Sequence, residues 1–442
     1  MGTATSTVDV LACNEGPLPR PLALSDVVSR ALCFDPRTQT AWLNARLAAS
    51  QLGVAYAALL PQLDATVGGT HSGSATHEGK LRSQGDSQRL DQGIELSYLL
   101  FDDGARKANA KQYELLLDAA RHDRNGIIQN VIVDACSAYY QAQAAADLLQ
   151  ASQVARTVAR NSLHAIQARY VAGVATQADR LQASVAFSES ELAVVAAEGQ
   201  LSVAKGELAH AMGQQPDLDL DMRAAESFVP NDEYTSRMTA WMDEALRSNP
   251  AIQTAKAQLA AARFGAASIE ASGMPTVTLQ INRSAYQLRQ GMPGLNSSGQ
   301  AYTIGWTLNI PLLDHVSRAY QIAQARLGID LASARLESAR QDTALSLWTN
   351  YQYLSQYSTS LRLITQLQEH AHNAYTVAQG RYQAGVGDVM QLLMAQSDLA
   401  AADINRINTA LNWRIAQLRM MSYLGQMDLD SLSAMKTETS AP

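Results

Sequence analysis

The chain has 442 residues, of which 47% are hydrophobic, 6% aromatic and 17% charged, and its net charge is -7. The length allows about two or three domains. With no run of Lys or Arg, the acidic balance excludes nucleic acid, whose phosphates demand clustered cations. No stretch of about 18 purely apolar residues exists, which excludes a transmembrane helix.

Residues 1–21 read as an N-terminal coil. Its opening, MGTATSTVDVLAC, has neither a cationic n-region nor an apolar h-region, so no secretory signal is read in it. Three cysteines cannot all pair within one chain. Cys13 lies in this Pro-rich coil and Cys33 in the helix that follows. A bridge between them would pin the coil and imply an oxidising compartment. Cys136, in an Ala-rich helix, reads as a small buried apolar residue.

Residues 22–213 form a first structural repeat. It opens with helix through Ala31-Leu32-Cys33-Phe34-Asp35-Pro36, and the amphipathic stretch from Leu47 stops at Pro61. A strand hairpin is predicted over about 62–101. Leu90, Ile94, Leu96 and Tyr98 alternate with Asp91, Gly93, Glu95 and Ser97, opposite a weaker strand carrying Leu63, Ala65 and Val67. Asp102, with Gly104 following, has the chemistry of a helix N-cap. A long helical hairpin then reverses at Arg169-Tyr170-Val171-Ala172-Gly173-Val174. Its return helix carries Val194, Ala197, Leu201, Ala204, Leu208 and Ala211 in 3-4-3-4-3 steps, a coiled-coil seam of large and small residues. Residues 214–236, acidic and holding Pro216 and Pro230, read as a linker (equatorial) segment.

The second repeat, 237–425, copies the first. Helical periodicity from Trp241 to Ser272 ends before Pro275. A second strand hairpin spans about 275–312, with Val277, Leu279 and Ile281, then Tyr302, Ile304, Trp306, Leu308 and Ile310, alternating with small polar residues. Pro311 bends the chain out of it, and Asp314 stands where Asp102 stood. No proline occurs from Leu312 to Ala441. A helix from about Val316 to Tyr382 would extend on the order of 100 Å at about 1.5 Å per residue. Leu347, Tyr351, Leu354, Ser358 and Leu361 step 4-3-4-3 along it. The hairpin reverses at Arg381-Tyr382-Gln383-Ala384-Gly385-Val386, and residues 426–442 form a C-terminal tail. The paired turns, the paired junctions and the closing Gly213 and Gly425 recur with a period near 212 residues. The chain is an internal duplication.

The four strands, of about 8 to 13 residues, are each long enough to cross a bilayer at a tilt, apolar on one face and polar on the other. Four strands cannot close a barrel, and closure needs at least about eight. Three protomers would supply twelve and give the helices pseudo-sixfold symmetry. A soluble sheet capping a coiled coil carries the same alternation.

The ALCFDP segment, Leu60-Pro61 before the first hairpin, the paired RYVAGV and RYQAGV turns and the duplication with inserted strands resemble the TolC family of outer-membrane export channels, over about Leu22 to Gly425. The Cys13/Cys33 arrangement and ALC-x-x-P look most like its type I secretion branch. The resemblance implies a mainly α fold with a membrane β-barrel. It implies a homotrimer whose twelve-strand barrel sits in outer-membrane lipid and joins a periplasmic helical tunnel. Its partners would be a periplasmic adaptor (membrane fusion protein), an inner-membrane ABC transporter and an exported protein. An outer component of a small-molecule or multidrug efflux pump, and a soluble coiled-coil scaffold, are the alternatives.

In this family the two turns lie at the periplasmic tips. Arg169, Tyr170, Gly173, Val174, Arg381, Gly385 and Val386 would form the tips that dock the adaptor, and the glycines permit the reversal. An Asp six residues after the first-turn glycine bonds a Tyr of the second turn; here these are Asp179 and Tyr382. Where the best-studied member carries an Arg and two acidic residues, this chain has Gly387, Gln391 and Met394. Asp388 is left to supply a carboxylate ring at the gate, or to act as a helix N-cap. His370 and His372, two apart, face different ways on a helix, and His71 and His77 fall in a polar turn. No phosphate loop, CxxC or nucleophile elbow occurs. No catalytic residue, metal site or cofactor is predicted, and no enzyme.

Overall fold

The computed structural model describes residue 16 and residues 18–78, 81–222, 238–290, 296–312, 315–425 and 427. The first half runs α1 (Leu24–Phe34), α2 (Pro36–Ala57), β1 (Gln62–Glu78), β2 (Leu81–Phe101), α3 (Ala105–Val171) and α4 (Gln177–Ala211). The second half repeats that order as α5 (Met238–Ser248), α6 (Pro250–Ala271), β3 (Thr276–Gln290), β4 (Ser297–Asn309), α7 (His315–Gln383) and α8 (Val389–Tyr423). The chain forms two compact units, one from residues 1–43, 122–253 and 338–442, the other from 44–121 and 254–337.

Each repeat opens with two helices where the pattern predicts one. The unbroken helix expected over Trp241–Ser272 stops at Ser248 and restarts at Pro250. A proline has no N–H to give and is pre-set for the first helical position, so the residue before it becomes the cap. Asn249 Oδ1 accepts the Ala251 amide at 3.0 Å, and Asp35 Oδ1 accepts the Arg37 amide at 2.7 Å. The Asp-Pro and Asn-Pro pairs are therefore helix starts.

In the larger unit, Val27 and Ala31 of α1 pack with Val131, Ala135 and Tyr139 of α3 and with Leu208 and Met212 at the end of α4. Beside them Val28, Ile132 and Cys136 meet Leu418 of α8. Each large side chain buried this way contributes about 1.5–3 kcal/mol. Cys136 is a free, fully buried thiol, and burial pushes its pKa up to about 12. Cys33 is disulfide-bonded; Cys13 lies outside the described residues.

The seams hold in most positions. Val194, Ala197, Ala204 and Leu208 are buried on α4 while Leu201 and Ala211 are half-buried, and Leu347, Leu354, Ser358 and Leu361 are buried on α7. Tyr351 is only half-buried, because Asn350 beside it turns inward and donates to the Ala416 carbonyl at 2.8 Å. Ser358 sits on this apolar seam because the buried Trp413 indole donates to its hydroxyl at 2.8 Å.

In the other unit the four strands form one antiparallel sheet in the order β1-β2-β3-β4. The strands run to 17, 21, 15 and 13 residues, mostly longer than the apolar alternation indicated. Ladder hydrogen bonds are made by backbone, so they continue into stretches where both faces are polar. His71 and His77 consequently lie on β1, not in a turn, and His71 Nε2 stands 3.3 Å from Asp86.

Candidate functional site

The sheet register puts Leu63, Leu96, Ile281 and Ile304 in one row, and Tyr98, Leu279 and Trp306 in the next but one. Those residues share a face. The opposite face carries the row Asp64, Glu95, Asn282 and Thr303. Val67, Tyr302, Ile304 and Trp306 are among the most exposed large apolar residues, with Tyr302 82% exposed. Among the described residues, β1 and β4 pair on one side only, so each presents an unpaired edge.

The expected junction residues bracket this sheet. Pro61 immediately precedes β1, Pro275 immediately precedes β3, and Pro311 follows β4. Asp314 lies outside the described residues. Asp102 caps α3 from three residues before its start: its carboxylate accepts the Arg106 amide at 3.0 Å and the Gly104 amide at 3.3 Å. It is displaced from the N-cap position itself because Asp103 and Gly104 take positive φ, 52° and 83°.

Sequence reasoning missed what Arg106 does there. Its guanidinium binds Asp102 Oδ2 at 2.8 Å and donates to the carbonyls of Ala58, at 3.2 Å, and Leu99, at 2.5 Å. Arg318, its counterpart 212 positions on, donates to the Glu270 carbonyl near the end of α6. The guanidinium occupies the space a Cβ on Gly273 would take. The recurrence of both arginines in register was the available signal.

At the far end of the hairpin helices, both turns are Schellman reversals. Gly173, at φ 76°, donates to the Tyr170 carbonyl at 3.0 Å and Val174 to the Arg169 carbonyl at 2.9 Å. Gly385, at φ 79°, and Val386 repeat the pattern on Tyr382 and Arg381, at 3.1 and 3.0 Å. Only glycine holds such a φ without strain. Val174 and Val386 stand 74% and 72% exposed, and Arg381 is exposed as well.

The two turns are brought together by a core of Ile166, Ala183, Tyr382, Val389 and Leu392. The expected bond between Asp179 and Tyr382 is not made. Asp179 is third in α4 and forms a capping box with Thr176: its carboxylate accepts the Thr176 amide and hydroxyl, both at 2.8 Å. The Tyr382 hydroxyl is buried without a hydrogen-bond partner. Burial pushes that phenol above its ordinary pKa, opposed by the adjacent Arg169 guanidinium through its charge and its reach toward the hydroxyl, with a small further rise from Asp179. Asp388, at the position matching Thr176, is the N-cap of α8 and accepts the Met390 amide at 3.3 Å. Tyr170 lies under the Arg180 guanidinium, 5.1 Å from the ring centroid.

Among the described residues no helix is long and apolar enough to cross a membrane, and no cluster of His, Cys, Asp or Glu could hold a metal ion.

The profile of the family described as outer membrane efflux protein matches the chain twice, over residues 27–214 and 241–426. The chain is 28% identical to the protein CyaE of Bordetella pertussis, over 92% of this chain and 84% of that one. It is 25% identical to the pyoverdine export outer membrane protein OpmQ of Pseudomonas aeruginosa, over 90% and 82%. It is 23% identical to the alkaline protease secretion protein AprF of the same species, over 92% and 85%. The crystal structure of the Campylobacter jejuni CmeC outer membrane channel shares the fold at a TM-score of 0.79 and 16% identity, covering 94% of this chain and 89% of that one. A duplicated helix–hairpin–helix chain with an open, one-sidedly apolar sheet thus belongs to the outer membrane efflux protein family, the TolC-like outer-membrane channels of tripartite systems, and is not an enzyme.

Proposed function

We propose that three copies of this chain close a twelve-strand barrel, four strands from each, above a periplasmic helical tunnel, and that the assembly conducts an exported protein in type I secretion. The sheet carries this reading. Its apolar face suits lipid, yet an unpaired strand edge in hydrocarbon leaves backbone groups unsatisfied at several kcal/mol each. Pairing β4 of one copy with β1 of the next removes every edge. Pro61, Pro275, Pro311, Asp102 and Asp314 then mark the passage from strand to helix.

The protein cargo is supported by the likeness to an alkaline protease secretion protein. A periplasmic adaptor would cover the exposed Val174, Val386 and Arg381 beside Tyr170, Gly173 and Gly385, and an inner-membrane ABC transporter would supply the energy. Tyr382, Asp179 and Asp388 lie where the two turns meet and would line the closed entrance. The N-terminal bridge is assigned to Cys13 and Cys33. A second reading, export of a small molecule, draws on the likeness to a pyoverdine export protein.

Light scattering of detergent-extracted protein, with the detergent subtracted, should give three chains; a monodisperse monomer would remove the barrel. Deleting the gene and analysing the culture medium separates the cargoes. A missing large polypeptide is expected, and loss of a small molecule alone would favour the second reading.

A further inference from the structure

The charges of the sheet are sorted by face. Opposite the apolar residues lie the carboxylates Asp64, Glu95 and Asp91, together with Arg89. The Arg89 guanidinium is bound to Asp91 at 2.8 Å and lies 4.9 Å from the centre of the Tyr286 ring. The apolar face carries Arg283, Arg289 and His71, and among the described residues its one acid is Asp86, which stands 3.3 Å from His71. Arg283 and Arg289 are exposed, and neither guanidinium makes an ion pair or hydrogen bond among the described residues.

Their place along the strands gives these cations a meaning. Val277, Leu279 and Ile281 follow one another up the apolar face of β3, level with Leu308, Trp306 and Ile304 of β4. The next residue on that face is Arg283, level with Ile94 and Tyr302. Above this row the face turns mostly polar, through Gln92, Gln300, Gln287 and Gln88 to Arg289. Arg289 lies six residues beyond Arg283, about 20 Å along the strand at about 3.4 Å per residue. The helices join the strands at the opposite end, so both arginines stand toward the hairpin turns. In a barrel whose helices are periplasmic, that is the outer margin of the lipid band, where aromatic residues form a girdle and an arginine on the lipid side is tolerated.

We propose that the outward face between Arg283 and Arg289 binds the phosphorylated headgroup of an anionic lipid in the outer leaflet, with the two guanidiniums on its phosphates. The inference rests on the barrel reading above. A guanidinium suits the role because it keeps its charge and its planar fork takes two oxygens of one phosphate. The glutamines between the two arginines offer amide donors to the rest of the headgroup. The apolar rows beneath Arg283 take the acyl chains, which separates a lipid from a free phosphate ion. Asp64, Glu95 and Asp91 lie on the other face and Asp86 is turned to His71, so no carboxylate competes for the two cations.

The test is native mass spectrometry of the purified full-length protein, which also reports the trimer content of every variant. The protein is titrated with lipid A bearing two phosphates and with the same lipid dephosphorylated. The phosphorylated form should bind more tightly by roughly tenfold or more, the scale of one hydrogen bond to a charged group, and added salt should narrow the gap. Arg283→Gln and Arg289→Gln should each weaken the phosphorylated lipid roughly tenfold and leave the dephosphorylated one unchanged. Arg89→Gln, on the other face, should bind both like the parent. Equal affinity for the two lipids, or a preference that survives in the double variant Arg283→Gln/Arg289→Gln, would overturn the headgroup site while leaving the barrel standing. Displacement of the lipid by inorganic phosphate at equal concentration would overturn the lipid as occupant. A parent protein found only as monomers would instead overturn the barrel reading.

Discussion

Ser358→Ala tests the packing of the hairpin helices at one atom pair. Trp413 is fully buried and Ser358 only 3% exposed, and the indole Nε1 donates to the serine hydroxyl at 2.8 Å. The indole rests among Leu354, Leu361 and Ala416. Removing the hydroxyl strands a buried N–H, at about 1–3 kcal/mol. Alanine returns about 0.5 kcal/mol through its better helix propensity. The net loss of roughly 0.5–2.5 kcal/mol should speed amide exchange in α8 around Trp413 by roughly 2- to 70-fold, wherever exchange follows the opening equilibrium. Hydrogen exchange with mass spectrometry, on a peptide covering residues 405–420, reads that factor directly. The decisive comparison uses Trp413→Phe as the background, since phenylalanine has no N–H to strand. There Ser358→Ala should cost nothing or stabilise slightly. An equal loss in both backgrounds would refute the hydrogen bond as the reason a serine occupies the seam.

Gly173→Ala and Gly213→Ala should differ, although both glycines have positive φ, 76° and 68°. A Cβ at Gly173 meets nothing within 4 Å, so only the left-handed backbone is strained, at about 1–2 kcal/mol. At Gly213 the Cβ would stand 2.7 Å from the Phe34 carbonyl oxygen, and limited proteolysis of that variant should show α1 and α4 cleaved well before the Gly173 variant is. Native protein should leave Cys136 unmodified by iodoacetamide at pH 8, since its thiol is buried with a pKa of about 12. Denatured without reductant, one thiol per chain should label, rising to three after reduction; three before reduction, or two through a bridge between chains, would break the Cys13–Cys33 assignment. Burial alone would raise the Asp35 pKa, but the hydrogen bonds and charge of Arg37 outweigh it and hold the carboxyl below its ordinary value. Its contribution is therefore present above the unfolded pKa of about 3.9 and lost as pH falls through the lower folded value. Arg37→Ala should weaken urea resistance most at neutral pH, and the gap should close below about pH 4.

Most of this architecture is written in the sequence because it rests on periodicity. A switch of apolar period from 3.6 to 2 and back sets helices apart from strands, and the chain does so twice at nearly constant offset. Gly173 and Gly385 mark the reversals because L-residues resist positive φ, and four of the six seam residues read on α4 are buried. The Asp-Pro and Asn-Pro breaks at 35–36 and 249–250, which the periodicity passed over, had a local signal too, as proline favours a helix start. Tertiary structure decided what no local rule contains. The strands outrun their apolar alternation because the ladder is made by backbone, whatever the side chains do. Ser358 interrupts an apolar seam in sequence and satisfies an indole 55 residues away in space. Arg169 and Arg381 stand in identical motifs, and only the packing of one repeat against the other buries the first on Tyr382 and leaves the second in water. A duplicated sequence specifies two like turns; the asymmetry between them arises when they meet, with Arg169 set over the Tyr382 ring and Arg381 left exposed.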